Sequence, residues 1–181
     1  MNGDWEYRLA VATLAVAVCG GWLDWRWRRI PNWLTLPALL FGIGVHVAAA
    51  GWPGAKDALA GAGLGLGLLL PFVLVRGLGA GDWKLMGALG ALTGRERLVM
   101  VLLLSMLIAG LMAVVEMVRR RRVKQTLSNT LKLVGVAATF GRGGACKEIT
   151  LDNSELMTLP FGVAAAIATL MLYSTFVRSL F

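Results

Sequence analysis

The sequence predicts an all-α fold: a polytopic integral membrane protein with six transmembrane helices. Three observations predict it. Of 181 residues, 57% are hydrophobic and 15% charged, and the mean hydropathy is +0.71, beyond an average soluble domain. Apolar runs recur between charged residues at lengths suited to a hydrocarbon core about 30 Å thick, which takes roughly 20 residues of helix. Lys and Arg, finally, gather in alternate inter-helix loops, as positive-inside sorting requires.

The apolar runs can be bounded by inspection. Leu9–Leu23 is the first, followed by Trp33–Ala55, Ala58–Val75, Leu98–Val115 and Leu156–Val177. Between the third and the next lies a short run, Leu85–Gly94, which spans only if Asp82 and Lys84 enter the helix with it. The first run has the same shortage and reaches spanning length only by continuing through Asp24 toward Arg29. Two short helices therefore each recruit one aspartate. Asp4 and Glu6 make a poor positive n-region and Trp22, Asp24 and Trp25 a poor cleavage site, so the first run reads as a permanent span and not a signal peptide.

With six spans, the loops after helices one, three and five share a side. They carry Arg26, Arg28, Arg29, Arg76, Lys84, Arg119 to Arg122, Lys124, Lys132, Arg142 and Lys147, thirteen of the 18 Lys and Arg. The other side holds Arg8, Lys56, Arg95, Arg97 and Arg178. The first side is then cytoplasmic, and both aspartates fall at that surface. Trp22, Trp25, Trp27, Trp33 and Trp83 mark the same interface, Trp5 and Trp52 the opposite one. The net charge of +8 is explained by this topology and by contact with lipid head groups, not by nucleic acid.

One membrane-embedded domain accounts for residues 1–181, with a polar cytoplasmic loop at about 119–155. Leu127, Leu131, Val134 and Ala138 give that loop the spacing of a short amphipathic helix on the inner leaflet. Cys19 and Cys146 have neither a CxxC nor a neighbouring histidine, so neither a metal nor a disulfide framework is expected. Nothing calls for a cofactor. Gly61, Gly63, Gly65 and Gly67 form two overlapping small-xxx-small pairs, which read as close helix packing in lipid. His46, alone in the second run, reads as a packed structural residue.

The two aspartates invite a joint explanation, because intramembrane acids are costly and usually face a watery, functional cavity. Carboxyl groups a few ångström apart cannot both ionise easily. The charged one can take a proton from a shared water while the neutral one donates to a substrate carbonyl, which hydrolyses a peptide without metal or covalent intermediate. Gly79 and Gly81 fit a turn into the helix and the approach of an extended substrate. Lys84 either holds a carboxylate charged or reaches for phospholipid. On spacing alone a structural reading stands beside this one: Asp24 stops a helix and Asp82 caps the next.

The stretch "GAGDWKLMGALGAL" resembles the GxGD motif of intramembrane aspartyl proteases, in the form found in the type IV prepilin peptidases. "DWRWRRIPNWLTLPALLFGI" is similar to that family's first-loop block, and "LPFGVAAAIATL" to its last-helix pattern. The resemblance implies a membrane peptidase that cuts the basic leader from prepilin or pseudopilin subunits at the cytoplasmic face, with Asp24 and Asp82 as the catalytic pair. It further implies Gly79 and Gly81 as the substrate-approach turn, Lys84 as a motif neighbour, and Ile30, Pro31 and Asn32 as the loop following the first aspartate. The sequence shows no N-terminal domain with paired CxxC motifs and methyltransferase activity, which points to the small subgroup resembling the tight-adherence (Flp) pilus peptidases. Two other classes stay open: a proton or ion transporter, and a non-catalytic scaffold of a pilus or secretion machine.

Overall fold

The computed structural model describes residues 3–74, 78–119 and 161–178. Among them every regular element is helical: α1 (Gly3–Trp27), α2 (Asn32–Leu74), α3 (Ala80–Arg119) and α4 (Phe161–Arg178). The chain divides into two compact units, Met1–Ala109 with Pro160–Phe181, and Gly110–Leu159. The core and the cavities described below belong to the first. Of the second, the described part is the end of α3, and the amphipathic helix expected at 127–138 lies outside the described residues.

Six spans are expected, whereas the described residues form four helices, two of which are each broken at a single glycine. Gly51 (φ 63°, ψ −138°) and Gly94 (φ 72°, ψ 174°) interrupt α2 and α3. Both hold a left-handed φ that side chains rarely tolerate. The break in α2 thus falls at Gly51 and not at Lys56 and Asp57, where charge alone puts it. Pro53 follows two residues later, in the first turn of the new limb, where a missing N–H costs nothing.

Contacts fix the direction of each limb. A side chain at Gly42 would strike the backbone of Ala91 and Leu92, and Lys84 reaches Asn32, so limbs 32–50 and 80–93 run parallel. Gly61 packs on Gly90 and Gly94, Gly65 on Met86, and the Trp83 indole N–H donates to the Leu66 carbonyl at 2.6 Å. Limb 52–74 is therefore antiparallel to 80–93, and α2 doubles back at Gly51. Gly90 lies against Leu98 eight residues on, which is possible only if α3 also turns.

Limb 80–93 is the hub. Leu85, Met86 and Leu89 are fully buried, and Ala17 of α1, Leu69 of α2, Leu98 and Val101 beyond Gly94, and Phe161 and Ala165 of α4 close around them. The buried hydroxyls of Thr13, Ser105 and Thr169 each donate to the carbonyl four residues back, so none is left unsatisfied away from water. On the outside, Leu40, Leu68, Leu103, Leu107 and Leu111 are well exposed. Three helical stretches, Trp5–Trp27, Asn32–Leu74 and Ala80–Glu116, are long and apolar enough to cross a membrane. Phe161–Ser174 is a shorter apolar helix. The chain is an integral membrane protein, and its exposed leucines face lipid.

Candidate active site

Asp24 reaches the site from the last turn of α1. That helix ends on Arg28, whose φ of 52° is left-handed and whose N–H donates to the Asp24 carbonyl at 2.9 Å. Such a cap turns the chain sharply outward. Ile30 then tucks inward and is buried, Pro31 follows, and Asn32 opens α2. Asp82 comes from the first turn of α3, two residues beyond its start.

Both carboxylates are buried, with 6% and 8% of their surfaces exposed, and both line one cavity of about 510 Å³. Arg28, Arg29, Ile30, Pro31, Asn32, Gly79, Ala80 and Gly81 complete its wall. The charge of Asp24 acts directly on Asp82. Their hydrogen bonding differs. Asp24 Oδ2 accepts the backbone N–H of Gly162, the second residue of α4, at 2.9 Å. Asp82 Oδ1 is buried with no hydrogen-bond partner among the described residues. A buried polar atom left without a partner is uncommon enough to need a reason.

The two motif glycines supply room. Neither Gly79 nor Gly81 has a positive φ. A Cβ at Gly79 would stand 3.0 Å from Asp82 Oδ2, and one at Gly81 would stand 3.1 Å from the Ile30 amide and 3.2 Å from its Cβ. Gly79 thus leaves space for the carboxyl, and Gly81 lets the 28–31 turn close over α3. The Lys84 ammonium donates to Asn32 Oδ1 at 3.0 Å, on the exposed rim. That bond ties the start of α2 to α3 beside the cavity. Gly162 was not legible as a site residue. The only signal was the block "LPFGVAAAIATL", which marks a helix without saying that its first turn meets Asp24.

A second cavity, about 310 Å³, lies toward the Gly94 end of the hub and is lined by Trp5, Leu9, His46, Asp57, Leu92, Thr93, Glu96 and Arg97. His46 Nε2 contacts the Leu92 carbonyl at 3.3 Å and its ring meets Trp5 edge to face. This packing agrees with the structural reading of that histidine.

Comparison with known proteins places the chain. Residues 10–114 match the model of the type IV leader peptidase family, a stretch that contains both aspartates. The chain belongs to this family. It is also 36% identical, over 129 residues, to the prepilin leader peptidase/N-methyltransferase of Escherichia coli (strain K12). That alignment takes in 67% of this chain and 54% of the relative, so the chain spans about half the length of the protein it matches. No solved structure matches significantly.

Proposed function

We propose that the protein is a membrane-embedded aspartic endopeptidase that removes the basic leader from prepilin-like subunits, using Asp24 and Asp82 on a shared water. One observation carries this reading: two acids 58 positions apart in sequence converge in one cavity, and one of them keeps a buried oxygen that meets no donor among the described residues. A carboxylate that merely capped a helix would spend its oxygens on backbone amides. The family match and the prepilin peptidase relative support the same substrate class.

The fold supports six spans, made of α1, the two limbs of α2, the two limbs of α3, and α4, alternating in direction. Limb 80–93 is short, about 21 Å at 1.5 Å per residue against a core of about 30 Å. With the charged turn Arg95–Glu96–Arg97 held at one surface, Asp82 lies below the level of the other. Water reaches it through the cavity, and an extended peptide enters beside Gly79 and Gly81. The density of Lys and Arg supports an opening on the cytoplasmic side, and the prepilin peptidase relative supports a bacterial inner membrane.

The test is single replacement of each acid by asparagine in the full chain, followed on a gel with a candidate prepilin. Either change causes uncleaved precursor to accumulate while the protein stays inserted. Continued processing with Asp24→Asn or Asp82→Asn overturns the pair, and lost ion flux with normal pilin size points to a transporter instead.

A further inference from the structure

We propose that the first turn of α4 fixes the division of labour in the pair, with Asp24 as the charged base and Asp82 as the acid that enters the reaction holding the proton. The inference rests on the two-aspartate reading above.

The geometry separates the two groups. Asp24 accepts the Gly162 N–H from the N-terminal turn of an 18-residue helix, and the next amide, of Val163, also lies within reach. Free amides in a first helical turn favour a negative charge, and a short bond from one of them favours it most. The Arg28 guanidinium acts on the same carboxyl. Asp82 receives less. Its Oδ1 meets no donor among the described residues, and the Gly162 amide that lies near it is bonded to Asp24. The first turn of α3 favours charge on Asp82, and the last turn of α1 disfavours it on Asp24, but a terminal field is weaker than a direct hydrogen bond to a charge. Among the described residues the remaining charged neighbours are Arg29, which lines the cavity, and Lys84, which is engaged with Asn32. A buried carboxyl oxygen without a donor is relieved when it carries a proton and presents it to a substrate.

The cycle then closes. Asp24 takes a proton from water as the water oxygen bonds to the scissile carbon, and Asp82 gives its proton to the carbonyl oxygen. Asp24 returns its proton to the amide nitrogen as the C–N bond breaks, and Asp82 recovers one from the collapsing diol. Gly162 is a positioning residue in this scheme. It is glycine because a Cβ there would stand 2.8 Å from the Asp24 Cβ and 3.0 Å from its Oδ2, holding the amide away.

The test compares Gly162→Pro, which lacks the N–H, with Gly162→Ala, which keeps it; both crowd Asp24. Cleavage of a prepilin by the full chain is followed against pH. The acidic limb of the profile shifts upward by about one pH unit in the proline variant relative to the alanine variant, and the alkaline limb stays. A shift of the alkaline limb instead, or of neither, overturns the assignment. Should the proline variant fail to fold, infrared spectra at neutral pH decide: the carbonyl band of a protonated carboxyl must be present in the wild type and absent in Asp82→Asn, and its absence from the wild type or its survival in Asp82→Asn overturns the assignment. Reversed roles leave both asparagine variants inactive on the gel. Continued processing by one of them refutes the two-aspartate reading itself.

Discussion

The two ends of limb 80–93 both hold ionisable groups in a cavity, and they use them in opposite ways. At the Gly94 end, His46 meets a carbonyl, Thr93 donates to the Leu89 carbonyl at 2.8 Å, and Asp57 pairs with Arg95. Tyr173 of α4 is held there by Thr13 and Arg97. At the Asp82 end, two acids are set against one another and an oxygen is left bare. Satisfied polar groups stabilise a fold, whereas unsatisfied ones are retained where chemistry needs them. The comparison therefore separates a fastening from a site.

The sharpest way to break it is Asp82→Ala. Cleavage falls by about 10²–10⁴-fold, the range of general acid–base catalysis. The melting temperature in detergent changes little, because the change removes a buried carboxyl whose Oδ1 has no partner among the described residues. A variant that both melts early and keeps its activity would place Asp82 with the fasteners.

How much of this division was legible varies by residue. Asp24 and Asp82 stood out because a carboxyl inside an apolar run has few explanations, and the spans they belong to were too short without them. Gly51 and Gly94 did not, since a one-residue reversal carries no charge and the eye follows Lys56 and Asp57 to the wrong boundary. Trp83 was placed in an interfacial belt by composition. Its indole in fact bonds inward to Leu66, a partner that depends on how α2 folds back. Gly162 was illegible for the same reason: its importance lies in a contact 138 positions away, and periodicity within one helix holds no trace of that.

The glycine stripe of α2 gives the next largest effect. Sequence spacing treats Gly61, Gly63, Gly65 and Gly67 alike, yet only one of the two pairs packs. A Cβ at Gly61 would run into the Gly90 backbone and one at Gly65 would stand 2.6 Å from the Met86 carbonyl oxygen, while Gly63 and Gly67 have nothing within 4 Å. Backbone cannot move aside as a side-chain tip can. Gly61→Ala therefore costs about 1–3 kcal/mol, and Gly63→Ala is neutral or stabilises by up to about 1 kcal/mol through helix propensity. Equal losses from the two would show that both faces are packed.

His46→Ala probes the fastening end directly. It removes one hydrogen bond of modest length and one edge-to-face ring contact, together about 1–2 kcal/mol, and leaves cleavage within about threefold. A collapse of activity at unchanged stability would move His46 into the machinery and erase the distinction between the ends.

Arg95→Ala is expected to do least. The pair with Asp57 spans 3.6 Å, and its side chains are 62% and 42% exposed, so water screens most of the attraction. Exposed pairs of this kind contribute about 0–1 kcal/mol, and the lower half of that range applies here. Arg95 is the informative partner, because Asp57 also packs over the Gly94 backbone and its removal would disturb the turn as well. The melting temperature of the variant should match the wild type in high salt and differ only slightly in low salt. A loss that persists in high salt would mean that the guanidinium holds the Gly94 reversal by contact, and that the turn needs a side chain as well as a glycine.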